Sequence, residues 1–115
     1  MRLILKDAHD SGSGAQFYQN VDVSKLQGRI LRLCAYVRSD KPGAILFMDS
    51  WDDKGRCLSS VGKKVVGNGK WQFVYCDMQV PDRAKSVACA VRVLGPEADA
   101  FFDDVALFVL KDFPF

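Results

Sequence analysis

The chain lacks several features that would assign it to a functional class at once. Its 16 Lys and Arg residues are nearly balanced by 14 Asp and Glu residues, and it contains no run of five or more basic residues. This mild net charge of +2 does not favour nucleic-acid binding. No segment approaches the roughly 20 apolar residues of a membrane-spanning helix, and the apolar segment Leu3–Leu5 is too short for a signal peptide. We therefore expect neither a nucleic-acid nor a membrane partner.

Residues suited to catalysis are equally scarce. His9 is the only histidine, and because it lies in a loop-like segment, no Ser-His or Cys-His nucleophile pair is evident. The sequence also lacks the glycine-rich phosphate-binding motifs and the HExxH zinc motif. We therefore expect that the chain is not an enzyme.

The four cysteines are too widely spaced to predict a zinc site. No CxxC pair occurs among Cys34, Cys57, Cys76 and Cys89. Three of them sit within strand-like segments, where a free cysteine acts as a small apolar side chain. We expect reduced thiols, with disulfides as the alternative because the number of cysteines is even.

Polar and apolar residues alternate with a period of two along most of the chain, which is typical of β-strands. Turn-forming Gly, Pro, Asn and Asp residues separate these segments roughly every 10 to 15 residues, a spacing that favours an antiparallel sandwich or barrel. No window of 11 or more residues carries a helical stripe of apolar positions. The clearest predicted strands are Ile30–Arg38, Ala44–Trp51, Lys70–Val80, Ser86–Leu94 and Phe101–Leu110.

The length of 115 residues suits one domain. A core of this size buries roughly two thirds of the unfolded chain's surface, which is enough for independent folding. We expect residues 1–110 to form a single β-sandwich domain and residues 111–115 to form a short C-terminal tail.

The alternation also predicts which side chains face the core and which face outward. We expect Leu31, Val87 and Val105 to point inward, between the two sheets. The assignment depends on strand register, because a shift of one residue would invert every face. The residues expected together on one outer sheet face are Arg32, Tyr36, Arg38, Met48 and Arg92.

Five short motifs follow one another in a recognisable order. They are Tyr18-Gln19, the glycine-initiated strand from Gly28 to Arg38, the Asp52 to Gly55 turn, Gly69 to Trp71 followed by Val80-Pro81, and Phe102 to Val105. In this order they resemble the jelly-roll family of carbohydrate-binding modules, which are galactose-binding-like domains appended to glycoside hydrolases and surface proteins. The resemblance extends from Arg2 to Phe108, and it implies an antiparallel jelly-roll β-sandwich.

The resemblance also implies a function and a location. Members of the family are non-catalytic modules that bind a polysaccharide or glycan through a sheet face or loop rim, beside a glycoside hydrolase or similar enzyme. Such a domain would be extracellular or at the cell surface. Since the fold serves many functions, the alternative is a structural or assembly module of a larger surface or phage-type protein.

One departure from the family pattern bears on partners. Family members begin with a strand of the form Asn-Gly-x-Phe-Glu about 20 to 30 residues upstream, whereas this chain starts at what resembles the following strand. Either the chain is cut from a longer protein or a sheet edge is open, and an open edge invites pairing with another chain. A homo-oligomer or a neighbouring domain is therefore expected, and Phe113 and Phe115 of the apolar tail are candidate contacts.

The best candidate binding surface combines arginines with aromatic residues. Tyr36 is expected to stack or hydrogen-bond, and Arg32, Arg38 and Arg92 would bind hydroxyl groups or, more strongly, carboxylates such as those of a uronic acid polymer. Trp51 would stack on a sugar ring at the loop rim, and Met48 would line the face. The alternatives are a solvated sheet face with paired arginines and a Trp51 that packs at the sandwich edge.

The adjacent carboxylates Asp103 and Asp104 are not expected to form a catalytic pair. Neighbouring residues of a strand point to opposite faces, so the two groups cannot converge on one glycosidic bond. We expect Asp103 on the core side. The family resemblance implies a structural calcium there, bound by Asp and backbone oxygens. The alternative is that Asp103 caps loop amides while Asp104 is solvated.

Overall fold

The computed structural model describes residues 2–4, 15–94 and 99–110. The described residues form strands and no helix, so among them no helix is long and apolar enough to cross a membrane. The strands are β1 (Arg2–Ile4), β2 (Ala15–Asp22), β3 (Ile30–Ser39), β4 (Ala44–Trp51), β5 (Cys57–Lys64), β6 (Gln72–Gln79), β7 (Ser86–Val93) and β8 (Asp99–Leu110).

The strands form two packed antiparallel sheets. Sheet I has the strand order β1-β8-β3-β6, and sheet II has the order β2-β7-β4-β5. Sequence neighbours such as β2 and β3 therefore lie in different sheets, so the chain repeatedly crosses between the layers. This is the all-β sandwich predicted from the sequence, and the jelly-roll fold class is confirmed.

The core lies between the two sheets and follows the predicted alternation on β3 and β7. Leu31 and Val37 of β3 are fully buried, as are Val87 and Val93 of β7. Strands β4 and β6 contribute in the same way, with every second side chain buried. The prediction that Leu31 and Val87 face inward is therefore confirmed, and the position of each outer face follows from it.

Strand β8 departs from the predicted alternation. A β-bulge interrupts its pairing with β3 opposite Ala35, between the Cys34 and Tyr36 pairs. Asp104 lies at this bulge with a φ of 49°, a left-handed conformation that Asp tolerates better than most residues. On the N-terminal side of the bulge Phe102 is buried, and Val105 on its other side is 42% exposed. Beyond the bulge, Val105 lies on the same side of β8 as Leu107, which pairs with the buried Leu33. Val105 therefore faces the space between the sheets, as predicted, but at its open side, where it lines a cavity with Phe17 and Val91.

The placement expected for Asp103 is wrong, because before the bulge Ala100 and Phe102 are the residues of β8 that face the core. Asp103 pairs with Tyr36 and is exposed on the outer face of sheet I. Its Oδ1 accepts a hydrogen bond of 2.9 Å from the backbone amide of Asp104. The carboxylate thus caps an amide at the bulge, as the alternative interpretation held, and does so from outside the core.

Strand β5 was missed by the sequence analysis. Its sequence CLSSVGKK is rich in small and charged residues, which have low β propensity. It lies at an edge of sheet II, where it pairs only with β4. An edge strand packs few side chains against the core, and here only Leu58 and Val61 pack against it, so the alternation signal is weak.

The turn between β4 and β5 is organised by the buried carboxylate of Asp52. It accepts hydrogen bonds from the backbone amides of Lys54 and Arg56 and from the Arg56 Nε, each 2.9 Å long. Gly55 follows with a φ of 75°, which a residue with a side chain rarely adopts. These bonds hold the pKa of Asp52 below its usual value of 3.8, with the Arg56 amide contributing most.

All four cysteines are free thiols. Burial raises the pKa of Cys76 and of Cys89 to about 11, and that of Cys34 is also raised by burial. Cys57, on the edge strand β5, is exposed. The tail at 111–115, with its two phenylalanines, and the loop containing His9 lie outside the described residues.

Candidate functional site

The structure divides the predicted site residues between opposite faces of the sandwich. Arg32, Tyr36 and Arg38 belong to β3 and lie on the outer face of sheet I. Trp51 ends β4 and Arg92 belongs to β7, so both lie in sheet II. The expected single face with three arginines does not form, which removes the main reason to expect an acidic ligand.

Met48 lies on neither outer face. It is 0% exposed and packs in the core, because β4 buries Ala44, Leu46, Met48 and Ser50 in strict alternation. The β4 sequence is apolar on both faces at its start, and the prediction chose the wrong set. The outward residues of β4 are Ile45, Phe47, Asp49 and Trp51.

The outer face of sheet II contains a cleft along β7. The outward residues of β7 are small over most of its length: Ser86, Ala88 and Ala90. Larger side chains flank them on both sides, since Tyr18 of β2 and Phe47 of β4 both pair with Ala90. The sheet II cleft is lined by Gln16, Tyr18, Asn20, Phe47, Asp49, Trp51, Ala88 and Arg92, with a volume of about 430 Å³.

The register of the sheet gives the cleft its dimensions. Strands β2 and β4 flank β7 at two inter-strand spacings, so the walls stand about 10 Å apart. From Ser86 to Arg92 the floor runs for about 20 Å at the rise of an extended strand. A second depression of about 370 Å³ shares Phe47, Asp49 and Arg92 and continues the cleft towards β5. The cleft is thus long, narrow and shallow, which suits an extended chain.

The cleft combines ring faces with hydrogen-bonding groups. Tyr18, Phe47 and Trp51 provide aromatic surface on its two walls. Gln16, Asn20, Asp49 and Arg92 place amide, carboxylate and guanidinium groups beside them. Asp49 is the one carboxylate among the described lining residues, so the cleft offers both hydrogen-bond donors and acceptors with little charge selection.

Sequence reasoning found Trp51 and Arg92 but missed the other lining residues. The alternation in AQFYQNVD already places Gln16, Tyr18 and Asn20 on one face of β2. The small outward residues of β7 are also visible in SVACAVRV. What the sequence does not show is that β2 and β4 flank β7, because strand order depends on chain crossovers.

The outer face of sheet I has a different character. Arg32 donates hydrogen bonds to both carboxylate oxygens of Asp77 on β6, and its guanidinium lies 4.2 Å from the ring centroid of Tyr75. The bond to Asp77 raises the pKa of Arg32 further. Tyr36 packs against Phe73 at 5.4 Å between ring centroids, with the planes tilted by 58°. These side chains are engaged with one another, so the face is an apolar surface more than a set of free donors.

The described residues give little support to a calcium ion at Asp103. Its carboxylate is exposed and already accepts a backbone hydrogen bond. Within residues 2–4, 15–94 and 99–110, no three His, Cys, Asp or Glu side chains cluster in a way that would bind a metal ion. Calcium binding stays a prediction.

Sequence comparison with known proteins gives no match. Neither a protein-family model nor any of the curated proteins matches the sequence. Structure comparison does, at sequence identities of 20% or less for the three structures described next. Identities this low support similarity of fold alone.

Three solved structures show this similarity. The enzymatically active domain of tailspike protein 4 from bacteriophage CBA120 matches with a TM-score of 0.76 and 16% identity, over 95% of this chain and 15% of that one. A family 4 carbohydrate-binding module matches with a TM-score of 0.60 and 20% identity, over 83% of this chain and 61% of that one.

The third structure is the Clostridium thermocellum endo-1,4-β-D-xylanase 10B, with its CBM22-1 and GH10 modules complexed with xylohexaose. It matches with a TM-score of 0.58 and 14% identity, over 100% of this chain and 25% of that one. This chain therefore spans between 15 and 61% of the length of these three proteins. The chain has the jelly-roll β-sandwich fold of the carbohydrate-binding modules.

Proposed function

We propose that the chain is a non-catalytic module that binds a polysaccharide or glycan chain in the sheet II cleft. The observation that carries the proposal is the trough along β7, with a floor of small residues between aromatic walls. Sugar rings present C–H groups that pack against aromatic faces. Tyr18 and Trp51, on opposite walls, are the expected stacking residues, and this role for Trp51 keeps the prediction made from the sequence.

The polar lining residues supply the remaining recognition. Sugar hydroxyls both donate and accept hydrogen bonds, and the cleft provides both partners through Asn20, Asp49 and Arg92. Because the cleft is shallow, it excludes little water, and binding per site is expected to be weak. One guanidinium beside one carboxylate favours a neutral glycan over a uronic acid polymer.

The structural neighbours support the same proposal. One of the three matched structures is a family 4 carbohydrate-binding module, and another, the xylanase with its CBM22-1 module, is complexed with xylohexaose. Catalysis is not expected, because glycoside hydrolysis ordinarily needs two carboxyl groups about 5 to 9 Å apart. Among the described residues that line the cleft, only Asp49 carries a carboxyl group.

Affinity electrophoresis against a panel of neutral and acidic polysaccharides tests the proposal. Trp51→Ala and Tyr18→Ala should each abolish the retardation caused by the bound polysaccharide, because they remove stacking surface. Phe17→Ala is the matched control, since Phe17 is 55% exposed against 56% for Tyr18 but does not line the cleft. Retardation lost in Tyr36→Ala, on the opposite sheet, but kept in both Trp51→Ala and Tyr18→Ala would move the site to sheet I. No retardation by any glycan would refute the proposal.

A second candidate function is a structural or assembly module of a larger protein. Exposed aromatic residues on the outer face of sheet I favour it, because such surfaces mark contacts with other proteins. The similarity to a segment of a phage tailspike is compatible with it. The two functions use opposite faces of the sandwich, so they do not exclude one another.

A further inference from the structure

The outer face of sheet I carries a cluster of exposed aromatic side chains. Each ring is between 38 and 53% exposed, and adjacent strands β8, β3 and β6 contribute them, with Trp71 directly before β6. We call this set the sheet I aromatic patch. Its members are Tyr36, Trp71, Phe73, Tyr75, Phe101 and Phe108.

The patch is large for the surface of a monomer. Aromatic side chains bury 150 to 250 Å² each, so six half-exposed rings present roughly 600 Å². The largest apolar patch on a typical monomeric protein covers about 300 to 600 Å² and is often functional. A patch at the upper end of this range, with its aromatic residues on neighbouring strands, indicates an interaction surface.

The packing of the rings argues against a sugar-binding platform. A glycan stacks on an open ring face, but the Arg32 guanidinium already lies over one face of Tyr75. The Phe73 ring is tilted by 58° from Tyr36 and by 35° from Tyr75, so the three do not form a flat surface. Aromatic residues and arginine are enriched in the cores of protein–protein interfaces.

We propose that two copies of this chain pack against each other through the sheet I aromatic patch, as an isologous dimer. A stable interface buries about 800 Å² per partner, and the patch with its polar surroundings approaches this value. The Arg32–Asp77 pair is already formed within one chain, so covering it leaves no unpaired charge at the centre of the interface.

The charges at the edge of the patch also suit a second copy. Arg38 and Asp103 are both exposed and lie diagonally across the β3–β8 pair, where Arg38 pairs with Phe101 and Asp103 with Tyr36. In a two-fold interface every contact occurs twice. An axis near Tyr36 brings Arg38 of one protomer to Asp103 of its partner, and the reverse contact forms at the same time.

The dimer would have a functional consequence, which rests on the proposed glycan binding. Sheet II lies on the opposite side of the sandwich from the patch. Two sheet II clefts would therefore face away from the interface in opposite directions. Such a dimer would bind two polysaccharide chains and cross-link them, a bivalent arrangement that a single module does not provide.

Sedimentation velocity from about 1 μM to 1 mM, without glycan, tests the dimer independently of sugar binding. The wild-type chain should shift from monomer to dimer within this range. Phe73→Lys should raise the dissociation constant about tenfold or more, as expected for a central aromatic residue. The matched control is Phe17→Lys, because Phe17 is 55% exposed against 53% for Phe73 but lies at the open side between the sheets.

A fluorescence measurement keeps the test valid if Phe73→Lys fails to fold. The sequence contains two tryptophans, so the Trp51→Phe variant reports on Trp71 alone. Its emission should shift to shorter wavelength as the protein concentration rises. A monomer at every concentration, no such shift, or equal weakening by Phe17→Lys would overturn the proposal. The proposal would also be overturned if the wild type were a monomer that binds a polysaccharide and Phe73→Lys lost this binding. That result would place a glycan on the patch.

Discussion

Arg32 on β3 donates two hydrogen bonds to the carboxylate of Asp77 on β6, with nitrogen–oxygen distances of 2.8 and 2.9 Å. The two residues are directly paired across the strands. This bidentate bond occupies the guanidinium edge that would otherwise bind a ligand carboxylate or vicinal hydroxyls. Arg32 is thereby engaged within the sheet, and the candidate glycan site lies on sheet II.

Filling the floor of the sheet II cleft should block glycan binding without unfolding the protein. Ala88 lies at the centre of the floor, between Asn20 and Asp49. Ala88→Leu places a larger side chain where a sugar ring would lie, and we expect an affinity loss of about tenfold or more. Isothermal titration with a polysaccharide retained by the wild type measures it. Ala106→Leu on sheet I is the control and should leave the affinity unchanged.

The sequence predicted most of the fold because strands with one buried face show a clear alternation. On β3 and β7 the Leu and Val residues mark the core side without ambiguity. It failed where alternation is weak or interrupted. Strand β4 is apolar on both faces at its start, which misplaced Met48, and the bulge at Asp104 shifts the alternation along β8, which misplaced Asp103.

The candidate site was less predictable than the fold. Trp51 and Arg92 were found because their chemistry is conspicuous, whereas the cleft depends on the order β2-β7-β4. Alternation along a strand says nothing about which strands are neighbours. The small residues Ala88 and Ala90 indicate a cleft only when larger side chains are known to flank them.

The bulge in β8 should tolerate glycine but not a β-branched residue at position 104. Asp104 has a φ of 49°, which glycine adopts without cost and which clashes with a branched side chain. We expect Asp104→Gly to change the free energy of unfolding by less than about 1 kcal/mol, and Asp104→Val to lower it by about 1 to 2 kcal/mol. Urea denaturation measures both, and equal stability of the two variants would contradict the assignment.

The cysteines should differ sharply in reactivity. Burial raises the pKa of Cys76 and of Cys89 to about 11, so at pH 8 about one thiol in a thousand is ionised at each. Cys57 is exposed and should react first with iodoacetamide. Pulse alkylation followed by mass spectrometry should find label on Cys57 in the native protein and on all four cysteines in urea. Rapid native labelling of Cys89 would show that the core is less closed than described.

Asp52 should make stability depend on pH in the acid range. Its pKa is lowered in the folded protein, chiefly by the hydrogen bond from the Arg56 amide, so folding favours the ionised form. The stabilisation is fully present well above the usual value of 3.8 and is lost as the pH falls below this value and through the lowered pKa of the folded protein. Urea midpoints of wild type and Asp52→Asn should therefore differ at pH 6, and the difference should become smaller at pH 3. Asp53→Asn, at the exposed neighbouring position, should follow the wild type at both pH values.

Two adjacent phenylalanines test the register of β8 directly. Phe102 is 1% exposed and points into the core, whereas Phe101 is 38% exposed on the outer face. Phe102→Ala should lower the free energy of unfolding by about 3 to 5 kcal/mol because it leaves a cavity. Phe101→Ala should cost less than about 1.5 kcal/mol, since it removes surface that is partly solvated already. If Phe102→Ala does not fold, Phe102→Leu provides the same comparison with a smaller loss in the free energy of unfolding. A larger loss for Phe101→Ala would mean that β8 is shifted by one residue, which would also reverse the outward placement of Asp103.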